Sequence, residues 1–349
     1  MKTKIYKIDS IENCIDLIHK AATVINTGGL VAFPTETVYG LGGDGLNPAA
    51  SKKIYTAKGR PQDNPLILHI ANTNQLNTLV KEVTPSAKKL IAEFWPGPLT
   101  LVFKKSDLVP YESSGGLDTI AIRYPKNKIA QKLIELSNTP IAAPSANKSG
   151  RPSPTRASHV LYDLNGAIDV IIDGGRCEFG LESTIVDVST NEPCLLRPGS
   201  ITLGMLKEVI GDITIDKSIL KKLDKNELPK APGMKYTHYS PNARVIIVNG
   251  SEENIITKIN ELIQNTDKSL KTGVIAYEET KDKYTADEVL VIGSKKQPTT
   301  IAANLFKVLR RCDYLNINIV FVESFSEQEL GLAIMNRLNK AAGYSIIDV

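Results

Sequence analysis

Several short stretches of the chain place polar and charged side chains where chemistry could use them. Lys58 and Arg60 stand two apart in "TAKGRPQDNPLILHI" (56–70), with Pro61 and Pro65 stiffening the chain behind them. In an extended loop, residues two apart point to the same side, so both cations would converge on one anion. A planar guanidinium beside a point-charge ammonium suits a polyphosphate. Ser145 and Asn147, again two apart, follow an apolar run in "AAPSANKSGRPSPT" (142–155), and Ser153 lies just ahead of a helical pattern. Hydroxyls beside a helix N-terminus favour phosphate. The ordinary alternatives are a solvated basic turn and a simple cap.

Other polar groups are less marked. Arg123 ends the apolar stretch "TIAIRYP" (119–125), where it could grip a carboxylate bidentately or form a structural ion pair. His69 lies inside "LILHI" (66–70) and alternates with Ile67, so it reads as a hydrogen-bonded core residue. The run "PTETVYGLGGDG" (34–45) is neither G-x-G-x-x-G nor a Walker A loop. It is either a turn using glycine for positive φ or a backbone-rich loop at a strand end, with Thr35, Glu36 and Thr37 facing a crevice. Ser183 and Arg197 sit at the edges of "STIVDV" (183–188) and "CLLR" (194–197). No Ser–His–Asp order stands out, and four scattered histidines give no metal cluster. The pattern fits catalysis by positioning and charge stabilisation, as in phosphoryl or nucleotidyl transfer.

The elements that must position these groups can be read from periodicity. Ser10 reads as the N-cap of a helix ending before Gly28, and Asn47-Pro48 opens another through Ala57. Further helices are predicted near 84–94, 126–137 and 156–164. Strands are predicted at 29–35, 66–70, 99–103, 119–124, 140–143, 169–173, 183–188 and 194–197. That is an α/β fold with a large, twisted mixed sheet, spanning 1–210. A Lys- and Pro-rich stretch, 211–243, reads as a linker with a charged helical start. Strands then alternate with helices over 244–349, a smaller Rossmann-like α/β domain without a nucleotide fingerprint.

Composition bounds the rest. The 349 residues exceed one ordinary core, and a formal net charge of +4 is too small to argue for a general nucleic-acid binder. Four cysteines without a C-x-x-C pair argue against a zinc site and a disulfide framework. Cys177 and Cys194 are close enough in sequence to bond, which sequence does not settle. No apolar run reaches about 18 residues and the start lacks a signal-peptide h-region, so a soluble, cytoplasmic protein without membrane partners is expected.

"GGLVAFPTETVYGLG", "KGRPQDNPLILHI", "FWPGPLTLVF", "IAIRYP", "PIAAPSANKSGRPSPT" and "GLESTIVDV…LLRPGSIT" together resemble the YrdC-like threonylcarbamoyl-adenylate synthases over residues 10–205. "APGMKYTHYSP" (231–241) and the domain after it resemble the two-domain form. The resemblance implies synthesis of threonylcarbamoyl-AMP and pyrophosphate from L-threonine, bicarbonate (as CO2) and ATP. It also implies Mg2+, and a downstream tRNA threonylcarbamoyl-transfer machinery making N6-threonylcarbamoyladenosine at position 37, with weak tRNA contact. By that resemblance Lys58, Arg60, Ser145 and Asn147 handle the ATP phosphates, and Thr119, Ser153, Arg197 and Tyr236 complete the nucleotide site. Thr35, His69, Arg123, Ala143 and Ser183 would surround threonine, with Arg123 on its carboxylate and Ala143 limited to its backbone. This moves His69 from the core to the site. The linker would lie over the site as a lid. The alternative is a non-catalytic RNA-binding module with a basic concave face. Carbamoyl transfer as in hydrogenase maturation is a third reading, against which stands the lack of Cys-rich and acylphosphatase-like parts.

Overall fold

Local capping chemistry sets the helices. Asn47 accepts from Ala49 N at 2.9 Å, Pro48 occupies the first turn, and Gly59, at φ 61°, ends the helix Pro48–Lys58 in a left-handed cap. Thr84 caps Pro85–Phe94, and Asn127 Oδ1 accepts from both Ile129 N and Ala130 N to open Lys128–Ser137. The first helix differs from expectation. Ser10 Oγ accepts from Asn13 N at 3.2 Å and so caps a turn, and the helix itself runs Ile15–Asn26.

The computed structural model describes residues 2–220, 231, 232, 234 and 239–349. It divides into two units, Met1–Ser149 with Ser153–Lys235, and Gly150–Pro152 with Tyr236–Val349. The first unit holds β1 (Lys4–Lys7), β2 (Val31–Phe33), β3 (Gly40–Asp44), β4 (Ile67–His69), β5 (Leu99–Lys104), β6 (Thr119–Arg123), β7 (Ile141–Ala142), β8 (Val170–Asp173), β9 (Thr184–Asp187), β10 (Cys194–Arg197) and β11 (Thr214–Ile215). They form one mixed sheet in the order β1-β8-β2-β3-β7-β4-β6-β5-β9-β10-β11. Helices Ile15–Asn26 and Lys128–Ser137 bury Ile18, Ala22, Ile25, Leu133 and Ile134 against Val31, Phe33, Val170 and Ile172 on one face of that sheet.

Four of the described strands escaped the periodicity. β3 carries the sequence GLGGD, which reads as a turn by propensity. Its glycines have a packing reason: a Cβ on Gly42 would lie 2.7 Å from Ile141 Cγ2 and 2.8 Å from Phe33 Cε1. β1 and β11 are short edge strands, β1 pairing with β8 and β11 with β10.

In the second unit β12 (Arg244–Asn249), β13 (Thr272–Tyr277), β14 (Glu288–Gly293), β15 (Ile319–Glu323) and β16 (Ile346–Asp348) form a parallel sheet ordered β14-β13-β15-β12-β16. β16 is the fourth strand that periodicity missed. Helices Glu252–Asn265, Pro298–Tyr314 and Leu330–Ala341 connect its strands, the Rossmann-like pattern expected. Ile255, Ile259 and Ile263 pack on Ile246, Val248, Val274 and Phe321. The Gly150–Pro152 tripeptide is hydrogen-bonded within this unit, Ser240 N donating to Gly150 O at 2.9 Å. No helix among the described residues is long and apolar enough to cross a membrane. All four cysteines are free thiols.

Candidate active site

Pairing register gathers the predicted side chains on one face of the first sheet. His69 pairs with Arg123 across β4–β6, Arg123 with Thr100 across β6–β5, and Thr100 with Ile185 across β5–β9. Directly paired residues point to the same side, and so do residues two apart along a strand. Ala143, whose N–H donates to Ile67 O, and Ser145, bridged to Gly40, extend the same row towards the helix-covered end. Thr119 begins β6 on this face, and Arg197 pairs with Ile185 at the far end.

Lys58 and Arg60 are not aligned by an extended backbone as the sequence suggested. The chain there is not extended: Lys58 is the last helical residue and Gly59 is left-handed. Lys58 is only 2% exposed, and its Nζ donates to the main-chain carbonyls of Ser145 and Asn147. Arg60, 8% exposed, turns instead to Asn64 and Pro65. Its Nη2 donates to Asn64 Oδ1 at 2.6 Å and Pro65 O at 3.0 Å, and its Nε to Asn64 O at 3.1 Å. Ser145 Oγ donates to Asn147 Oδ1 at 2.6 Å, so the second signature is also internally tied. The ammonium thus joins both signatures into one rigid corner, and the guanidinium is held on its flank.

Arg123 meets a carboxylate already present. Its Nη2 donates to Glu36 Oε1 at 2.6 Å, its Nη1 to Thr37 Oγ1 at 2.8 Å, and both charged side chains are buried. Burial alone pushes the Glu36 carboxyl up, but the Arg123 charge and hydrogen bond outweigh it and hold the group below the usual carboxylate range. Thr35 Oγ1 lies 2.8 Å from Thr37 Oγ1 and donates to Val38 O, bracing the loop that carries Glu36. His69 is buried with its ring edge-on to Phe33 and its Nδ1 3.2 Å from Ile67 O. Burial, helped by the Arg123 charge, pushes its imidazole down to about 3, so it is neutral. Cys177 nearby is no thiolate, since burial pushes its thiol up to about 12.

At the other side, Ser153 Oγ donates to the buried Glu182 carboxylate. Arg197 donates from Nε to Ser183 O at 3.1 Å, from Nη2 to Ser183 Oγ at 3.2 Å, and from Nη1 to Pro232 O at 3.2 Å. Ala231 and Met234 cover the apolar part of this face, packing on Ile67, Val102, Ala121, Ile185 and Leu196.

Of the predicted residues, Thr35, Lys58, Arg60, His69, Thr119, Arg123, Ala143, Ser145, Asn147, Ser153, Ser183 and Arg197 all fall in the first unit, around this face or on the loops at its margin. Tyr236 lies outside the described residues. Three contributors were not singled out from sequence: Asn64, Thr100 and Glu182. Each sits within a quoted motif, and a buried carboxylate one residue before Ser183 is the one with a readable signal.

A family model described as telomere recombination, shared by Sua5, YciO and YrdC, matches residues 23–199, and one described as threonylcarbamoyl-AMP synthase, C-terminal domain, matches 201–343. The threonylcarbamoyl-AMP synthase of Pyrococcus abyssi is 51% identical over 95% of this chain and 96% of its own length. That of Bacillus subtilis is 46% identical over 99% and 100%. The crystal structure of Pyrococcus abyssi Sua5 complexed with L-threonine superposes with a TM-score of 0.92 at 49% identity, covering 100% of both chains.

Proposed function

Because the chain belongs to the threonylcarbamoyl-AMP synthase family, we propose that its sheet face holds threonine beside Arg123 and ATP along Lys58, Arg60 and the Ser145–Asn147 loop. The chain is a nucleotidyltransferase that forms threonylcarbamoyl-AMP and pyrophosphate from L-threonine, bicarbonate and ATP. The observation that carries the site assignment is the shared face: Arg123, His69 and Thr100 are directly registered neighbours, and Ser183 bonds both Thr100 and Arg197.

In this reading the threonine amine attacks CO2, and the carbamate oxygen attacks the α-phosphorus while pyrophosphate leaves. Negative charge accumulates among reactants that already repel, and preorganised cations and N–H donors offset it. Arg123, with Thr35, His69, Ala143 and Ser183 around it, fixes the amino acid. Lys58, Arg60, Ser145, Asn147, Thr119, Ser153 and Arg197 fix the nucleotide, joined by Tyr236. Among the described residues no group of three or more His, Cys, Asp or Glu could hold a metal. Mg2+ is usually held through one or two carboxylates and substrate phosphates, so here it accompanies ATP as its counter-ion. The transfer is direct, without a covalent enzyme intermediate.

The stretch 211–243, of which 221–230, 233 and 235–238 lie outside the described residues, acts as a linker over the site and shelters a labile intermediate, a reading that the burial of Ala231 and Met234 on this face supports. The product passes to a tRNA threonylcarbamoyl-transfer machinery in the cytoplasm, with at most weak tRNA contact by this chain. The test is to mix protein with ATP, labelled bicarbonate and L-threonine. Label should appear in a threonine–AMP adduct, and ATP consumption indifferent to threonine would sink the reading.

A further inference from the structure

Thr100 is fully buried on β5, and its hydroxyl has a single hydrogen-bond partner among the described residues, Ser183 Oγ at 2.7 Å. Which of the two donates is decided by their surroundings. Arg197 Nη2 can only donate, and it reaches Ser183 Oγ at 3.2 Å. A Thr100 hydroxyl that accepted from Ser183 would leave its own buried hydrogen without a partner, which is costly. One that donates leaves over the hydrogen of Ser183, which is just as buried. A substrate held at Ser183 can accept that second hydrogen, so on that assignment Thr100 is the donor. Ser183 Oγ then has both lone pairs filled, one by Thr100 and one by Arg197, and its own hydrogen must go elsewhere. Thr100 pairs directly with Arg123 across β5–β6, so that hydrogen serves the face on which Arg123 lies.

We propose that Thr100 is a positioning residue that locks Ser183 as a hydrogen-bond donor to an acceptor oxygen, carboxylate or hydroxyl, of the amino-acid substrate. The proposal deepens the assignment of Ser183 to threonine and rests on it. Nothing in the sequence pattern marks Thr100, which sits in an apolar strand. Its hydroxyl works one step removed from the substrate.

The test is steady-state synthesis with threonine and ATP varied independently, alongside thermal melts, for wild type, Thr100→Val, Thr100→Ser and Ser183→Ala. Valine keeps the shape and removes the donor. Thr100→Val should raise the threonine KM about five- to tenfold, the worth of one neutral hydrogen bond. The ATP KM should stay within about twofold, since Arg197 keeps its contacts to the carbonyls of Ser183 and Pro232. Thr100→Ser, which restores the donor, should return the threonine KM to near wild type. A purely structural role would lower the melting temperature and leave the threonine KM unmoved, overturning the proposal. A rise in the ATP KM alone would overturn it too. A raised threonine KM in Ser183→Ala beside a normal one in Thr100→Val would sink the role of Thr100 and spare that of Ser183. An unchanged KM in Ser183→Ala would sink both. If Thr100→Val does not fold, Thr100→Cys, similar in size and a weak donor, takes its place with the same readout.

Discussion

The Lys58 ammonium donates to the main-chain carbonyl of Asn147, 89 positions later in the chain. Its other carbonyl partner, that of Ser145, belongs to the same loop. Two signatures that look independent in sequence are therefore one structural unit. In the proposed site Lys58 would then shape the phosphate corner as well as supply charge to it, with Arg60 held on its flank by Asn64.

Lys58→Ala should therefore lose more than a charge. Each hydrogen bond to a charged group is worth about 1.5–3 kcal/mol, so loss of the two should lower stability by about 3–6 kcal/mol in urea denaturation. Synthesis should fall by at least about a hundredfold, and added salt or amines should not restore it. Loss of activity with unchanged stability would mean that the carbonyl contacts carry no weight.

Asn64 predicts a subtler effect. Its side-chain and main-chain oxygens both accept from Arg60. Asn64→Ala keeps the main-chain contacts to Asn64 O and Pro65 O and removes the bond from Nη2 to Oδ1. The ATP KM should rise about three- to tenfold with little change for threonine, less than the full worth of a charge-assisted hydrogen bond because the carbonyls of Asn64 and Pro65 still hold the guanidinium. An equal change in both KM values would argue against a local effect on Arg60.

The Glu36–Arg123 pair is buried on both sides. Removing one member of such a pair leaves an unbalanced charge and costs about 3–5 kcal/mol. Glu36→Ala and Arg123→Ala should each destabilise by that amount, and the double variant should cost clearly less than their sum. Additive denaturation energies would contradict the coupling.

Much of the fold is legible in the sequence, and the failures have physical causes. Strands rich in Ile, Val and Leu, such as β5, β6 and β8, announce themselves because burial and β-propensity agree. β3 does not, because the ring of Phe33 requires glycine where propensity reads a turn. Lys58, Arg60, Ser145, Asn147 and Arg123 stand out by type and spacing, whereas His69 reads as core and enters the proposed site only through the family resemblance. Their partners do not stand out: the convergence of Lys58 and Arg60 assumed an extended backbone, which the left-handed cap at Gly59 replaces. Thr100 becomes visible only through register, since nothing local distinguishes it from a strand threonine with its hydroxyl in solvent.

The buried imidazole of His69 gives a pH dependence. Its folded value is pushed down to about 3 from an ordinary 6.5. Between those values the unfolded chain binds a proton that the folded chain refuses, so stability is full above pH 6.5 and is lost as pH falls. Glu36 acts in the same direction, its depressed carboxyl withdrawing stability below its ordinary 4.5. From pH 6.5 down to 4.5 the effect therefore belongs to His69. Stability measured by urea should decline there by up to about 1.4 kcal/mol per pH unit, and His69→Gln should flatten that part of the curve. An unchanged slope in the variant would show that His69 titrates normally.

The most direct test of the central claim, that one sheet face seats both substrates, is a crystal structure with L-threonine and a non-hydrolysable ATP analogue. The threonine carboxylate should lie on Arg123 beside Ser183, with the triphosphate along Lys58, Arg60 and the Ser145–Asn147 loop, in a single continuous site. Nucleotide bound elsewhere, or threonine away from Arg123, would contradict it.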